Sequence, residues 1–430
     1  MTSKTLAEWL DYQQSIHPRA IELGLDRVRE VWRRIGAPAP APVVITIGGT
    51  NGKGSTVAFL EAMLSAAGKR VGAYTSPHLL RYNERVRVDG RDASDEALVD
   101  AFARIDAARG ADSIKPVALT YFEFGTLAAL WIFAQSRLDV AILEVGLGGR
   151  LDAVNIIDAD AAIVTTVDLD HQDWLGNDVD SIGREKAGIF RAGRPAIVGT
   201  HEPPAGLLEE CARIGADLVR AGRNFRVEQQ ADGWRWENND DVLDLPFPAL
   251  AAPSQIDNAA VAVAALHALR GRIVWSPDAI ARGVRAAHVP ARLQRLRKNG
   301  AAELVIDVAH NPQAARTLGQ WLARNPAPTF AVFGALSDKD VGGIVAPLRE
   351  HVDAWLLGGL AIETPRGLTA ADLHARMADT QYVEEHADID AALEVSTAKA
   401  GSGDRILVFG SFFVAAAALN WAQRNGYFTA

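Results

Sequence analysis

The chain has 430 residues, of which 49% are hydrophobic and 23% are charged, a balance typical of a folded globular protein. The 44 Lys and Arg against 53 Asp and Glu give a net charge of −9, which argues against nucleic-acid binding through a broad basic face. Cys211 is the only cysteine, and this excludes an intrachain disulfide and a cysteine-rich metal cluster.

The length predicts two or three domains. The first ten residues contain no apolar core of signal-peptide length. The most apolar late stretch, residues 406–419, is interrupted by Gly410 and Ser411 and is too short to span a bilayer. We therefore expect a cytoplasmic protein without membrane contact.

Strands and helices are expected to alternate along most of the chain. Hydrophobic residues up to about Ile35 recur at close to a 3.6-residue spacing, which predicts helix that is weakened at Gly24. A connector rich in Ala and Pro follows at residues 37–42. After it, strands are predicted at 43–47, 71–75, 140–143, 161–165 and 196–198, and helices at 53–67, 95–109 and 121–135. This order favours βαβ units and a mostly parallel sheet.

The later part of the chain shows two further patterns. Trp234, Trp236 and the turn-forming pair 232–233 predict a small antiparallel excursion over residues 225–245. A second α/β series begins near Pro290, and the domain boundary is placed within residues 287–291. Its strands are predicted at 303–307, 329–333, 354–357 and 405–409, and its helices at 312–324, 369–378, 389–400 and 412–424.

The turn after the first predicted strand has the composition of a phosphate-binding loop, GGTNGKGS at residues 48–55. Glycines allow several backbone N–H groups to face one point, and the following helix adds the positive end of its dipole. Lys53 supplies a mobile cation for the outer phosphates of a nucleotide. The usual motif has Ser or Thr directly after Lys, whereas Gly54 precedes Ser55 here. The alternative is a tight turn without a ligand.

A second glycine-rich segment, GLGGR at residues 146–150, follows another predicted strand. The dinucleotide-binding fingerprint needs a third glycine at position 151, where this chain has Leu151. The sequence therefore does not predict a nicotinamide site.

Six motifs in fixed order resemble the folylpolyglutamate synthase family of the Mur ligase superfamily, most closely its bifunctional bacterial members, which are also dihydrofolate synthases. They are GTNGKGS at 49–55, TSPH at 75–78, LEVGLGGRLD at 143–152, LDH at 169–171 with LG at 175–176, REKAG at 184–188 and DVAHNP at 307–312. The resemblance covers nearly the whole chain. It implies a P-loop ATPase domain with a mostly parallel sheet and pterin-binding segments over residues 1–289, and a smaller C-terminal Rossmann-like glutamate-ligase domain over 290–430.

The reaction that the resemblance implies is ATP-dependent amide formation. The carboxylate of dihydropteroate or tetrahydrofolate takes the γ-phosphoryl group of ATP, the amine of L-glutamate displaces phosphate, and ADP is released. The substrate carboxylate is itself the nucleophile, so catalysis rests on positioning and charge stabilisation. This agrees with a sequence in which no Ser-His-Asp or Cys-His set stands out.

The ATP-binding residues that the resemblance implies are Thr50, Asn51, Gly52, Lys53, Gly54, Ser55, Asn258, Arg292 and Asp307. Asn258 has an alternative role as a helix cap. Arg292 follows Pro290 and Ala291, where the family usually has Pro-Gly-Arg, and Ala291 is stiffer than glycine.

The resemblance also implies a magnesium site, with two ions expected, at Ser76, Glu144 and His171. Ser76 and Glu144 each follow a predicted strand, so both are expected at the sheet edge where α/β proteins bind ligands. Oxygen atoms suit magnesium, whereas imidazole is an unusual ligand for it. The alternatives are a turn residue for Ser76, an ion pair for Glu144 and a loop cap for His171.

Lys53, Lys186 and His310 are the predicted catalytic residues. In the family the lysine matching Lys186 is carbamylated, and its new carboxylate holds the second magnesium ion; the alternative is a solvated lysine paired with a neighbouring carboxylate. His310 follows a predicted strand and is expected to face the same cleft, in an unspecified role. Ser411 is predicted to cap the last helix rather than to contact glutamate.

The residues expected to bind the pterin substrate are Glu22, Leu23, Gly24, Leu25, Thr120, Tyr121, Phe122, Glu123, Leu151, Asp152 and Ala153. Tyr121 and Phe122 can stack on a planar ring, although aromatic residues that begin a helix commonly belong to the core. Arg81, Arg85 and Arg87 are candidates for binding the anionic substrates, with plain surface exposure as the alternative.

Three alternative functions stay open. One is folylpolyglutamate synthase activity alone. A Mur-type peptidoglycan ligase is less favoured, because the loop begins at residue 48 and leaves too little chain for a nucleotide-sugar domain. A nucleotide-dependent switch differs from a ligase in making ADP without carboxylate and glutamate. We expect a monomer.

Overall fold

The computed structural model describes residues 4–19, 21–111, 116–170, 172–377 and 380–429. They form two compact units. The first holds the chain through Ala249 together with Ile256–His288, and the second holds Leu250–Gln255 and the chain from Val289 onward. Within these residues, no helix combines the length and apolar character needed to cross a membrane.

The first unit is built on an eight-stranded sheet in the order β4-β3-β2-β5-β1-β6-β7-β8. Its strands are β1 (Val43–Gly48), β2 (Val71–Tyr74), β3 (Val86–Val88), β4 (Arg91–Asp92), β5 (Val140–Glu144), β6 (Ala161–Val164), β7 (Pro195–Val198) and β8 (Asp217–Arg220). All neighbours from β2 to β8 are parallel, and β3 and β4 are added antiparallel. Every residue of β1 is buried, as expected for a central strand that is covered on both faces.

A separate antiparallel sheet lies in the same unit, in the order β11-β10-β9. It consists of β9 (Phe225–Gln230), β10 (Gly233–Asn238) and β11 (Val242–Leu245), which confirms the antiparallel excursion predicted from the tryptophans. Trp234 and Trp236 project from β10 and are almost fully buried.

Ten helices belong to the first unit within the described ranges. They are α1 (Leu6–Ser15), α2 (Asp26–Arg34), α3 (Lys53–Ala66), α4 (Asp95–Arg109), α5 (Tyr121–Gln135), α6 (Gln172–Leu175), α7 (Val179–Ala187), α8 (Ala205–Ile214), α9 (Gln255–Ala268) and α10 (Pro277–Ala286). The predicted bounds of α4 and α5 are confirmed to the residue, because each helix has a strong N-cap. Thr120 and Glu123 form a capping box at α5, and Ser94 caps α4.

The second unit holds a seven-stranded sheet in the order β16-β15-β14-β17-β13-β12-β18. Its strands are β12 (Gln294–Arg297), β13 (Glu303–Ile306), β14 (Thr329–Phe333), β15 (Ala354–Gly358), β16 (Val383–His386), β17 (Arg405–Phe409) and β18 (Phe428–Thr429). The five strands from β16 to β13 are parallel, and β12 pairs antiparallel with both of its neighbours. Both units therefore have the predicted α/β architecture with mostly parallel sheets.

The helices of the second unit are α11 (Pro312–Arg324), α12 (Val341–Val345), α13 (Ala370–Ala375), α14 (Ile389–Lys399) and α15 (Phe412–Arg424). The helix predicted over 369–378 is shorter than expected. It ends at Ala375, where the N–H of Arg376 bonds to the carbonyl of Leu373 and tightens the last turn. Residues 378 and 379 lie outside the described residues.

Candidate active site

Four neighbouring strands of the first unit, β2, β5, β1 and β6, end at one edge of the sheet. Their parallel order brings the segments that follow them together. Ser76 follows β2, Glu144 ends β5, the phosphate loop follows β1, and Thr165 follows β6. The backbone N–H of Ser76 donates to Glu144 Oε2 at 3.1 Å, so these two predicted metal ligands are in direct contact.

The phosphate loop takes a conformation that only glycine adopts easily. Gly49 has φ 143° and Gly52 has φ 90°, both in the region that L side chains avoid. A Cβ on Gly49 would lie 1.9 Å from Thr165 Oγ1, and one on Gly52 would lie 2.3 Å from Asn258 Oδ1. Gly52 also caps α3, so the N–H groups of the first helical turn open onto the loop.

Two threonines after β6 hold the loop from the neighbouring strand. Thr165 Oγ1 donates to the carbonyl of Asn51 at 2.6 Å, and the N–H of Asn51 donates to Thr166 Oγ1 at 3.0 Å. The N–H of Thr50 bonds to the carbonyl of Thr166 at 2.8 Å. Sequence reasoning gave neither threonine a role in the loop. Thr165 ends the predicted strand 161–165 and Thr166 follows it, and this position was the available signal.

Lys53 and Asn258 both lie against this loop. The Lys53 ammonium donates to the carbonyls of Gly49 at 2.9 Å and Thr50 at 3.2 Å. Asn258 is the fourth residue of α9, so the helix-cap alternative is wrong. Its amide oxygen faces Gly52 instead, because α9 brings its first turn up to the loop.

Glu144 is 4% exposed, and its carboxylate sits beside the backbone of Ser76. A carboxylate and a serine hydroxyl are oxygen ligands that a hard divalent cation prefers, so this pair fits such an ion. His171, the third predicted ligand, lies outside the described residues. Among the residues that are described, no three His, Cys, Asp or Glu side chains group as a metal cluster, so Ser76 and Glu144 would need ligands from elsewhere.

Lys186, in α7, is 4% exposed, so the solvated-lysine alternative is wrong. Burial, and after it the positive charge of Lys53, lower the pKa of its ammonium to about 7 against the opposing effect of Asp170. A substantial fraction of Lys186 is therefore an uncharged amine near neutral pH.

Arg27, which the sequence did not single out, connects the two main predicted pterin segments. Its guanidinium bonds to Glu22 Oε1 at 2.7 Å and to Glu123 Oε1 at 2.9 Å. Residues 22–25 and 120–123 are thus neighbours although they are about a hundred positions apart. Glu123 is 3% exposed and also caps α5, so Arg27 compensates a carboxylate with little access to water.

Tyr121 and Phe122 begin α5 and are partly buried among other aromatic rings. Tyr121 meets Tyr82 edge to face at 5.8 Å, and Phe122 lies 6.1 Å from Tyr74. The guanidinium of Arg85 lies 5.3 Å from the Tyr82 ring and 5.6 Å from the Tyr121 ring. This arrangement joins a cation to an aromatic surface.

The three candidate arginines have different environments. Arg87 bonds to Glu61 at 2.7 Å, and Arg81 pairs with Asp95 at 3.3 Å. Arg85 forms no ion pair within the described ranges; its Nε donates to His78 Nδ1 at 2.8 Å. Burial, followed by the charge of Arg85, lowers the pKa of His78 to about 4, so this ring is a neutral acceptor near neutral pH. Arg85 is therefore the strongest of the three candidates for binding an anion.

Asp152, a predicted pterin contact between Leu151 and Ala153, holds the backbone of the GLGGR segment. Its Oδ2 accepts from the N–H groups of Gly146 and Leu147, both at 2.9 Å, and its Oδ1 accepts from Val154 at 3.0 Å. Burial raises the pKa of this carboxyl to about 6, although these hydrogen bonds and Lys53 favour the charged form.

The second unit gathers its predicted residues where β13 and β17 end. Asp307 accepts from the N–H groups of Leu293 and Ala309 at 2.8 and 2.7 Å, and burial raises the pKa of its carboxyl against the effect of Arg292. The Arg292 guanidinium lies 5.4 Å from the Phe412 ring, and the His310 ring lies 6.0 Å from the same ring.

Two local predictions in the second unit have clear outcomes. Ser411 caps α15 by accepting from the N–H of Val414 at 3.1 Å, as predicted. Ala291 has φ 53°, so it takes the left-handed conformation that would be easy for the glycine usual in the family.

Comparisons with known proteins agree over nearly the full length. Residues 47–266 match the Mur ligase middle domain and residues 291–412 match the Mur ligase glutamate ligase domain. A dihydrofolate synthase/folylpolyglutamate synthase of Escherichia coli is 44% identical over 426 residues, which is 98% of this chain and 97% of that protein. The chain belongs to the dihydrofolate synthase/folylpolyglutamate synthase family of Mur ligases.

Solved structures of this family superpose closely on the chain. E. coli FolC in complex with DHPP and ADP has a TM-score of 0.92 at 44% identity, with 99% of each chain covered. A bifunctional folylpolyglutamate synthase/dihydrofolate synthase with Mn, AMPPNP and L-glutamate bound has a TM-score of 0.89 at 44% identity, with 98% of each chain covered. The family resemblance, the Mur ligase fold and the class of ATP-dependent ligases are thereby confirmed.

Proposed function

We propose that this protein joins L-glutamate to dihydropteroate, forming dihydrofolate, and to tetrahydrofolate, forming polyglutamates. The carboxylate of the acceptor attacks the γ-phosphorus of ATP, giving an acyl phosphate and ADP; the glutamate amine then displaces phosphate. The observation that carries the proposal is a set of groups at one sheet edge: a glycine-built phosphate loop, and a buried Glu144 carboxylate in contact with Ser76. Buried Lys186 is close enough to the loop for the charge of Lys53 to lower its pKa.

Within this proposal the residues of the first unit bind and orient the phosphates. The N–H groups of residues 52–55, at the start of α3, and the ammonium of Lys53 stabilise the charge that develops on the transferred phosphoryl group. Asn258 contacts the nucleotide from α9, next to Gly52. Residues 1–289 form the ATPase domain with its pterin segments.

Residues 290–430 form the glutamate-ligase domain, in which Arg292 and Asp307 contribute to nucleotide binding. His310 is proposed as a catalytic residue of the same domain, in an unspecified role. One observation supports the roles of all three residues: each follows or adjoins β13 at the end of the parallel sheet, where α/β proteins bind ligands.

The metal is proposed to be magnesium. Ser76, Glu144 and His171 would hold one ion, which neutralises phosphate charge when it is bound. The solved relative with Mn and AMPPNP supports a divalent ion at the nucleotide. We expect Glu144→Ala to weaken binding of Mg²⁺ and to raise the Mg²⁺ concentration needed for half-maximal activity. An unchanged metal requirement would contradict the assignment.

Lys186 is proposed to be carbamylated. Its uncharged amine attacks carbon dioxide, one N–C bond forms, and a proton is released, which leaves a carboxylate suited to a second magnesium ion. The lowered pKa of Lys186 supports this, because only the neutral amine has the lone pair that reacts. We expect mass spectrometry of the intact protein in bicarbonate buffer to show a mass increase that Lys186→Ala abolishes.

Dihydropteroate is proposed to lie beside Glu22–Leu25, Thr120–Glu123 and Leu151–Ala153. The proximity of the first two segments through Arg27 supports a shared surface. A 44% identical relative that was solved in complex with both DHPP and ADP supports the bifunctional enzyme over folylpolyglutamate synthase alone. Changing Glu22 or Tyr121 should harm dihydropteroate use more than tetrahydrofolate use, and equal losses would contradict this surface.

The direct test measures ADP release with dihydropteroate and with tetrahydrofolate, each with and without L-glutamate. A ligase needs both the carboxylate and glutamate, whereas a nucleotide switch makes ADP without them, and an adenylating ligase releases AMP. The protein is also proposed to be a cytoplasmic monomer, which sedimentation and fractionation would check.

A further inference from the structure

Asn155 lies between the predicted pterin segment 151–153 and the end of the helix that carries Lys186. It belongs to a 3₁₀ turn at Ala153–Ile156 and is 6% exposed. It is not among the residues proposed to bind nucleotide, metal or substrate. Its side chain has both a donor group and an acceptor group, and both are used.

The two N–H groups of the Asn155 amide bridge two backbone segments. Nδ2 donates to the carbonyl of Arg150 at 2.9 Å and to the carbonyl of Gly188 at 3.0 Å. Gly188 is the C-cap of α7, two residues after Lys186. The amide oxygen accepts from Arg191 Nη2 at 2.9 Å, which fixes the orientation of the amide.

The segments that this amide bridges also touch directly. A Cβ on Gly188 would lie 2.4 Å from the Cβ of Arg150, and a Cβ on Gly149 would lie 2.8 Å from the carbonyl of Glu185 and 3.0 Å from that of Lys186. The N–H of Arg150 bonds to the Glu185 carbonyl at 2.9 Å. The two segments are therefore in close backbone contact at the point where Asn155 holds both carbonyls.

We propose that Asn155 is a positioning residue that fixes the end of α7, and with it Lys186, against the segment that binds the acceptor. This rests on the proposed function for the role of Lys186. Position 155 requires a side chain that donates one hydrogen bond to each of two carbonyls from a buried position. An amide has the two N–H groups for this, whereas a carboxylate has none. Asn155 acts through Lys186 and does not touch the substrate.

Asn155→Ala removes both bridging bonds, and Asn155→Asp keeps the size and the contact with Arg191 but removes both donors. For each variant we expect kcat to fall at least about tenfold while the KM for ATP changes by less than about twofold, because misplacement by a fraction of an ångström penalises the reacting geometry. Asp158→Asn is the matched control, since it disrupts only the outer ion pair of Arg191 and should behave as wild type.

A second measurement distinguishes a local displacement of Lys186 from a general loss of packing throughout the protein. The folded proteins are kept well below their melting temperatures in buffer freed of carbon dioxide, so that Lys186 has a free amine, and are treated with acetic anhydride. The modification of Lys186 is compared with that of exposed Lys298 by peptide mass spectrometry. We expect a selective increase at Lys186 in both Asn155 variants. The proposal would be overturned if the variants matched the wild-type protein in both the labelling of Lys186 and kcat. It would also be overturned if the labelling of Lys298 increased together with that of Lys186.

The two proposals fail separately. If wild-type protein makes no ADP with dihydropteroate and glutamate, the proposed function fails, yet the labelling of Lys186 still decides whether Asn155 holds this helix end. If wild type is an active ligase and the Asn155 variants match it in kcat and labelling, only the inference about Asn155 fails.

Discussion

The phosphate loop and the proposed acceptor surface are built in different ways. The loop, residues 48–55, is contiguous in sequence and consists mainly of backbone groups, with Thr165, Thr166 and Asn258 packed around it. The acceptor surface joins residues 22–25 with residues 120–123 through the side chain of Arg27. A local motif thus predicts the first region well, whereas the second depends on contacts between distant segments.

The largest effect is expected from Lys53→Ala in the loop. Turnover should fall at least about a thousandfold, because this cation stabilises transferred phosphoryl charge. The fold should remain intact, since within the described residues the side chain bonds to two loop carbonyls and to no side chain. ADP release and circular dichroism check both statements, with Lys69→Ala at the far end of α3 as the control. Near-normal turnover would refute the phosphate site.

Gly52→Ala tests whether the loop is truly built from backbone. The added Cβ would meet Asn258 Oδ1 at 2.3 Å, and the residue would keep φ 90°, so we expect ATP affinity to drop at least about tenfold by calorimetry. Gly68→Ala is the matched control, because Gly68 has φ 75° but nothing within 4 Å of an added Cβ. Equal ATP affinity in the two variants would show that the contact with Asn258 is unimportant.

Arg27→Ala tests the side-chain construction of the acceptor surface. Removing the guanidinium leaves the buried Glu123 carboxylate without its ion pair, at a cost of about 2 kcal/mol in the free energy of unfolding. The KM for dihydropteroate should rise about tenfold, and the KM for ATP should stay close to wild type. Urea unfolding and steady-state kinetics measure these effects.

Arg33→Ala serves as the control for Arg27, because Arg33 lies on the same helix and pairs with Glu30 at the surface. Such an exposed pair contributes at most about 1 kcal/mol. If Arg27→Ala raised both KM values alike, the two regions would not be functionally separate.

The last effect concerns the pH dependence of stability contributed by Asp152, whose pKa burial raises from 3.8 to about 6. Below pH 3.8 the Asp152 carboxyl is protonated in both the folded protein and the unfolded chain, and its contribution to the free energy of unfolding is fully present. As the pH rises toward 6, Asp152 has lost its proton in the unfolded chain but keeps it in the folded protein. The free energy of unfolding therefore falls by up to about 1.4 kcal/mol per pH unit.

Asp152→Asn should remove this contribution and flatten the stability curve between about pH 4 and 6. Denaturant unfolding at several pH values measures the slope, and Asp158→Asn, at an exposed carboxyl, should leave it unchanged. A slope equal to that of wild type would show that folding does not raise the pKa of the Asp152 carboxyl.

Sequence patterns predicted long or capped elements better than short edge strands. The bounds of α4, α5, α11 and α15 follow from cap residues and hydrophobic spacing, which are local properties. Strands such as β4 and β18 have two residues each, and their pairing energy comes from neighbours that are distant in sequence. No local pattern identifies them.

The sequence alone determined the two α/β units, the glycine-rich loop and the family, because these depend on spacing, turn chemistry and the order of short motifs. Tertiary structure decided which charges are paired, so that Arg87 is matched by Glu61 while Arg85 lies over two tyrosines. It also decided that Lys186 is buried and that Asn155 bridges two backbone segments. Burial and ionisation depend on the groups that folding brings close, and distance along the chain does not reveal them.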